Sequence, residues 1–374
     1  MEIITLKGEI RQIKLKAFTI HPNIELAETL PSHFYRSQEV YDALIEKVFA
    51  KTWQFVGDDS LAATEGQLFP FRFLEFGLEE PMLLTNDGEG LNCVSNVCTH
   101  RGNILCHDPC QAKQILCGYH GRRFDLKGNF KHMPQFAEAQ DFPRTEDHLH
   151  GFPLKRVGPW LFTALEEQMD FQRVIDAMNK KVGFLPLEEF TLDRSRNKDY
   201  LVNAHWALYC DNYLEGFHIP FVHDGLNAML DYRKYETTIY PEANLQIGHS
   251  AGGEHVFDLP EGHEDYGQAI SAYYFWIFPN MMFNFYPWGC SINVVKPISI
   301  NRTKVSFITY VYDEAKLDTG AGAALDKVER EDEFVVEGVF KGMQSRVYKT
   351  GRYSPKMERG VHHFHSLLAD YLAR

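Results

Sequence analysis

Apolar residues keep two different rhythms along this chain, and the changes between them mark out its parts. From Ser37 to Phe49 they fall at 40, 41, 44, 45, 48 and 49, the spacing of a helix with one face on a core, behind a serine able to cap it. Beyond Trp53 the rhythm shortens. Runs over 66–73, 81–85, 90–97 and 114–117 are separated by Gly, Asp and Asn and predict strands of a small antiparallel β domain. Residues 153–159 close it, and 160–164 returns to strand. Farther on, Phe171–Val182 and Leu325–Met343 predict helices, while 198–204, 272–278, 281–286, 291–297 and 304–312 predict strands of one antiparallel sheet. The implied class is α+β in three parts: 1–51 as an arm and helix packed on the last domain, 52–155 as the β domain, and 156–374 as a larger domain of antiparallel sheet and long helices. Residues 1–18 read as an added strand or arm, and 242–267 as a loop or lid over the site.

A chain of 374 residues is long enough for two sizeable cores. Its 51 carboxylates exceed its 38 lysines and arginines, which argues against nucleic acid and leaves a basic partner or a cationic small molecule open. The start of the chain carries an acid at position 2 and no sustained apolar stretch, so no signal peptide is expected. The longest apolar run, 272–278, is too short to span a bilayer, and no membrane association is expected. Seven cysteines without a disulfide framework suit a reducing compartment, and a cytoplasmic protein is expected.

Two of those cysteines carry chemistry. Cys98-Thr-His100 and Cys117-Gly-Tyr-His120 are separated by the sixteen residues 101–116. Two thiolates and two imidazoles in two short loops can close a tetrahedral zinc site, or hold a [2Fe–2S] cluster with cysteines on one iron and histidines on the other. Zinc sites usually draw each close pair from one residue type, whereas here each loop offers one of each, which favours the cluster. Gly102, Gly118 and Gly121 let backbone approach the sulfides, and Phe124 is available to cover the site. Cys106-His107-Asp108-Pro109-Cys110 is a rival ligand set, read as a bystander because it lacks a matching second pair.

A second stretch runs from Asp211 to His223. On a helix Asp211, Glu215 and His218 would share a face, and Pro220, by ending or kinking that helix, would let His223 turn back toward it. Two imidazoles and one carboxylate on one side of Fe(II) leave positions open for O₂ and substrate. On the helix from Leu325, the stripe Leu325, Val328, Val335, Val336, Val339 and Met343 has Asp332 at its centre, with Glu331 and Glu333 to either side and Glu337 pointing away. A carboxylate on an apolar face needs a metal or a cationic partner, and Arg346 or Arg352 is the alternative to the metal.

The first pair of loops resembles the Rieske cluster-binding motif. Asn103 and Tyr119 stand where high-potential Rieske proteins carry a disulfide, so the likeness is to low-potential domains that feed oxygenases. The second stretch, with Asp332, resembles the catalytic domain of Rieske non-haem iron oxygenases, the α subunits of ring-hydroxylating dioxygenases and their monooxygenase relatives. Within that family the 210–223 segment and His362-His-Phe-His look most like the choline and carnitine monooxygenase branch, and Glu215 stands where many ring hydroxylators carry Asp. The resemblance implies a helix-grip catalytic domain behind a Rieske domain. It implies a [2Fe–2S] cluster on Cys98, His100, Cys117 and His120, and Fe(II) on His218, His223 and Asp332. O₂ would be the co-substrate, and a flavin and ferredoxin-type reductase the electron source. It also implies a homotrimer in which Glu215 bridges His218 to a neighbour's cluster histidine, most simply His120, with Asp211 a further member of that chain.

The expected product is a hydroxylated carbon, on an aromatic ring or beside nitrogen. The favoured substrate is a quaternary ammonium or N-methyl compound, taken by monooxygenation; the alternatives are an aromatic-ring dioxygenase and, less well supported, a non-catalytic Rieske carrier. Tyr274, Trp276, Phe283 and Phe285, on two aromatic-rich strands, are the candidate pocket walls, by cation–π attraction or by stacking on a ring.

Overall fold

The computed structural model describes residues 17–231, 234–252, 255–317 and 325–374. Most of the arm expected over 1–18 therefore lies outside the described residues. Helix α1 (Gln38–Lys47) starts where expected, with the Ser37 hydroxyl accepting the Val40 amide, and buries Val40, Tyr41, Leu44 and Ile45.

The β domain follows. Strands β1 (Gln54–Asp58), β2 (Gln67–Phe73), β3 (Glu80–Asn86), β4 (Leu91–Ser95), β5 (Cys110–Gln111), β6 (Ile115–Leu116), β7 (Arg123–Phe124), β8 (Phe130–His132), β9 (Gly151–Phe152), β10 (Leu154–Val157) and β11 (Trp160–Thr163) make three antiparallel sheets. Their orders are β5-β2-β3-β4-β9, β6-β7-β8 and β1-β11-β10. The boundary expected at 155/156 cuts through β10. β10 pairs with β11, and β11 with β1.

After helix α2 (Phe171–Val182) come β12 (Thr191–Leu192), β13 (Lys198–Val202), and helices α3 (Trp206–Tyr213), α4 (Ile219–Val222) and α5 (Asp224–Met229). The large sheet is then completed by β14 (Glu236–Tyr240), β15 (Ala243–His249), β16 (Ile270–Ile277), β17 (Met281–Tyr286), β18 (Gly289–Ser299) and β19 (Arg302–Val311), closed by helices α6 (Leu325–Met343) and α7 (Arg359–Ala373). The order is β12-β19-β18-β17-β16-β15-β14, with β13 also on β19.

The lid expected over 242–267 is a loop only beyond β15. Residues 243–249 form a wholly buried strand between β14 and β16. Its residues Ala-Asn-Leu-Gln-Ile-Gly alternate apolar and polar, a period of two that marks a strand. Helix α7 was likewise legible, since Val361, Phe364, Leu368 and Leu372 recur at helical spacing and are buried.

Alternation along the strands divides the sheet's apolar residues between two cores. On one face Trp276, Met282, Val295 and Val305 meet α1, α3 and α7. On the other Tyr273, Phe275, Phe283 and Phe285 meet α2 and the β1-β11-β10 sheet. Trp160 of β11, wholly buried, joins the two domains there, its ring packed edge-on against Phe190, Phe283, Phe285 and Tyr310. Trp160→Ala is expected to cost about 3–5 kcal/mol, read as a lower urea midpoint for loss of the large sheet; an unchanged midpoint would show that this ring does not join the two halves.

Candidate metal centres and substrate cavity

The two loops around Cys98 and Cys117 follow one path. The Cys98 amide donates to the Asn103 carbonyl at 2.8 Å and the Gly102 amide to the Cys98 carbonyl at 2.9 Å. In the second loop the Cys117 amide donates to the Arg122 carbonyl at 2.8 Å and the Gly121 amide to the Cys117 carbonyl at 3.0 Å. Gly102 and Gly121 take φ of +70° and +74°, the left-handed backbone that makes each tip possible. The same fold of backbone thus presents C-x-H once and C-x-x-H once. Tyr119, at the place His100 holds in the first loop, lays its exposed ring against His120, with centroids 3.7 Å apart.

The loops bring the expected residues together. Both cysteines are buried beside Phe124 in one small core. Burial pushes the Cys98 thiol up. It also raises that of Cys117, but the amides of Tyr119 and His120, the Cys98 thiol and the Asn103 side chain outweigh it and hold Cys117 below its ordinary range. The rings of His100 and His120 lie 4.8 Å apart, edge to face. The Nδ1 of His120 is buried without a protein partner, as a nitrogen aimed at a metal would be. Two thiols and two imidazoles so arranged fit a [2Fe–2S] cluster. Cys106 and Cys110, the bystander set, lie 3.7 Å apart and pair with each other.

The helix expected to run from Asp211 through His218 stops at Tyr213, with Leu214 as its cap. Glu215 lies beyond it in a turn, where its carboxylate accepts the amides of Phe217 and His218 and binds His218 Nδ1 at 2.7 Å. Pro220 therefore sits in the first turn of a new short helix, α4, and ends nothing. His223, 1 % exposed, caps that helix. Its Nδ1 binds Glu331 at 2.7 Å and its Nε2 meets Asp332 at 3.0 Å, while His218 Nε2 lies 3.5 Å from the same Asp332 oxygen. Asp332 thus meets the two imidazoles and not Arg346 or Arg352. One ligand atom from each of His218, His223 and Asp332 falls within 4.8 Å of the others, a donor set that fits Fe(II).

Asp211 does not reach Glu215. From the last turn of α3 it turns to the core, accepting the Tyr35 hydroxyl at 3.0 Å and meeting His365 Nε2 at 2.9 Å. The C-terminal histidine tract is divided in the same way. His365 takes part in this buried group, where its Nδ1 meets the Tyr353 hydroxyl at 2.6 Å, and His363 bonds Asn244 on β15.

A cavity of about 110 Å³ opens onto the triad. Five tyrosines line it (Tyr209, Tyr213, Tyr235, Tyr274 and Tyr286), together with Gln246, Asn284, Asn293, Glu329 and the triad itself. Of the expected walls only Tyr274 is there. Tyr274 pairs with Asn284 across β16 and β17, so Asn284 and Tyr286 face the cavity. Phe283 and Phe285, one residue out of step, face the opposite core, and Trp276 packs farther along under Phe364 of α7. Glu329 was readable but unread: it shares the apolar stripe of α6 with Asp332, three residues earlier. It is 3 % exposed, accepts the Tyr209 hydroxyl on Oε2, and has no protein partner on Oε1. Burial pushes its carboxyl up to about 8 against the hydrogen bond from Tyr209.

The comparisons agree with this geometry. Residues 52–143 match the Rieske [2Fe-2S] domain and 187–374 match the ring hydroxylating alpha subunit (catalytic domain). The chloroplastic choline monooxygenase of Beta vulgaris is 29% identical over 93% of this chain and 78% of its own length. The carnitine monooxygenase oxygenase subunit of Escherichia coli K12 is 27% identical over 93% and 95%. A quaternary ammonium Rieske monooxygenase solved with L-carnitine superposes at a TM-score of 0.72, with 24% identity over 93% and 97%, a likeness that speaks for the fold. Among the described residues no helix is long and apolar enough to cross a membrane. The cofactors of such a chain are a Rieske [2Fe–2S] cluster and mononuclear Fe(II), with O₂ as oxidant. The chain belongs to the ring-hydroxylating alpha-subunit family and is a Rieske non-haem iron oxygenase.

Proposed function

We propose that this chain is the terminal component of a monooxygenase that hydroxylates a small quaternary ammonium or N-methyl compound, of the choline, carnitine or betaine kind, at a carbon beside nitrogen. The observation that carries the reading is the cavity wall. Five tyrosines surround the triad, carboxylates are present, and among the described residues no lysine or arginine lines the space. A desolvated ammonium over such rings gains roughly 2 kcal/mol or more per well-placed face. The relatives named as choline and carnitine monooxygenases support the same class.

In this reading Cys98, Cys117, His100 and His120 hold the cluster, His120 through Nδ1, and His218, His223 and Asp332 hold the iron. When bound, the two centres supply the electrons and the activation of O₂ that the hydroxylation needs. The chain's own residues set the geometry. Glu215 lies in hydrogen-bond reach of His218 Nδ1 and Glu331 of His223 Nδ1; accepting there, the two carboxylates would hold the rings with both Nε2 atoms toward Asp332, available to a metal. The tyrosines exclude water and seat the methylated nitrogen near the open iron positions.

The assembly proposed is a ring of three. Within one chain, among the described residues, no hydrogen bond joins the 98–120 loops to 211–223, and Tyr119 beside His120 is exposed. We therefore place His120 of the partner subunit against Glu215, which already orients His218. Electrons come one at a time from a flavin and ferredoxin-type reductase using NADH. Seven unbridged cysteines favour a reducing compartment, here the cytoplasm.

Isothermal titration and O₂-uptake assays with choline, carnitine and betaine-like amines against small arenes test the substrate class. Binding and uptake with an ammonium are expected; response to arenes alone would make the chain an aromatic-ring oxygenase. Glu215→Gln should keep both metals yet nearly abolish NADH-coupled turnover, and full activity would remove it from the electron path. Glu331→Gln should weaken iron binding about 10–100-fold with the cluster's spectrum intact, as read by metal analysis; wild-type iron content would contradict its orienting role.

A further inference from the structure

Three carboxylates line the cavity, and they differ in what their oxygens do. Glu215 is taken by His218 and two amides, and Asp332 by both imidazoles. Glu329 alone of the three has a buried oxygen without a protein partner, its side chain being 3 % exposed. A buried carboxylate oxygen is ordinarily paired, because stripping it of water costs several kcal/mol. Its position is equally specific. Glu329 lies one helical turn before Asp332 on α6, roughly 4.5 Å along the axis. Hydroxylation of a carbon bonded to nitrogen requires the ammonium itself to lie within two bonds of the reacting position, so the cation must sit beside that turn.

We propose that the Glu329 carboxylate is the counter-ion of the substrate's ammonium group and sets the preference of the cavity for cations over neutral molecules of the same shape; this rests on the ammonium reading above. The tyrosines provide attraction to any soft, polarisable group, including a flat ring, whereas a fixed negative charge distinguishes a cation from its isostere. Tyr209 assists by holding Oε2, which leaves Oε1 without a competing protein partner. In the empty cavity burial favours the neutral acid, and an adjacent cation favours the charged form, so the negative charge is present when it is useful.

The test compares choline with its neutral tert-butyl carbon isostere, by isothermal titration of the iron-loaded enzyme. Wild type should prefer choline about tenfold or more. Glu329→Gln should bring the ratio close to one by weakening choline alone, and Glu329→Asp should restore part of it. Iron content and the cluster's spectrum, unchanged from wild type, establish that the variants are folded. A Gln variant that keeps the wild-type ratio overturns the counter-ion and leaves the ammonium reading standing. Equal weakening of both ligands also overturns it, showing that Glu329 only supports the cavity wall. Wild-type enzyme that binds no ammonium compound at all overturns both together.

Discussion

The structure depends on the docking of one acidic turn, Glu329 to Asp332 of helix α6, against two imidazoles from the segment that follows α3. Carboxylates at this depth cost several kcal/mol each unless cationic or metal partners offset the loss of water. The fold fixes the helix so that the offset is available. Near the start of α6, Asp326 accepts from Lys198 and Tyr200 on β13 at 2.8 and 2.7 Å. Three turns later Glu337 accepts the amide and side chain of Asn203 at 2.9 and 2.8 Å. The anchors are β13 itself and Asn203, the residue that follows it on the way into α3. One edge of the sheet therefore sets where α6 lies and where α3 begins, and Asp332 between the anchors meets His218 and His223 with no freedom of register.

The cluster loops solve the same problem by other means. No long element supports them. Each is a single tip whose geometry comes from its own backbone: two hydrogen bonds and one left-handed glycine, repeated around Cys98 and Cys117. Because the glycine stands four residues after the cysteine in both, the tips superpose in path even though the histidine comes two residues after one cysteine and three after the other. The cluster site is local twice over; the iron site is assembled from residues more than a hundred positions apart.

That difference explains what the chain disclosed in advance. The loops were readable because spacing alone defines them. Asp332 was readable because a carboxylate in the middle of an apolar stripe is anomalous in any sequence, and Glu329, on that same stripe, carried an equal signal. The cavity walls were not readable. Phe283 and Phe285 are as aromatic as Tyr274, but facing is decided by register, and a slip of one residue exchanges cavity for core. Strand β15 was missed because its Asn244 and Gln246 suggest a loop when read singly. They are polar because that face meets Gly360, His363 and Tyr213, while the apolar residues between them fill the core beneath.

The end of α3 shows how a single local event can separate two similar residues. Asp211 and Glu215 are four apart, and on a continuous helix they would have shared a face and a purpose. The helix stops at Tyr213, and Gly216 follows where a Cβ would come within 2.7 Å of the Tyr235 ring. Any side chain there would push the turn away from the cavity. With glycine the turn closes, and Glu215 is free to cap the amides of Phe217 and His218 and to hold the imidazole ring by its far nitrogen. Asp211, still in the helix, is left facing Tyr35 and His365, where it ties α3 to α7 and to the segment before α1. One carboxylate thus secures the scaffold behind the site and the other orients a ligand within it, and the break between them is what allows the metal face and the core face of the same dozen residues to be built independently.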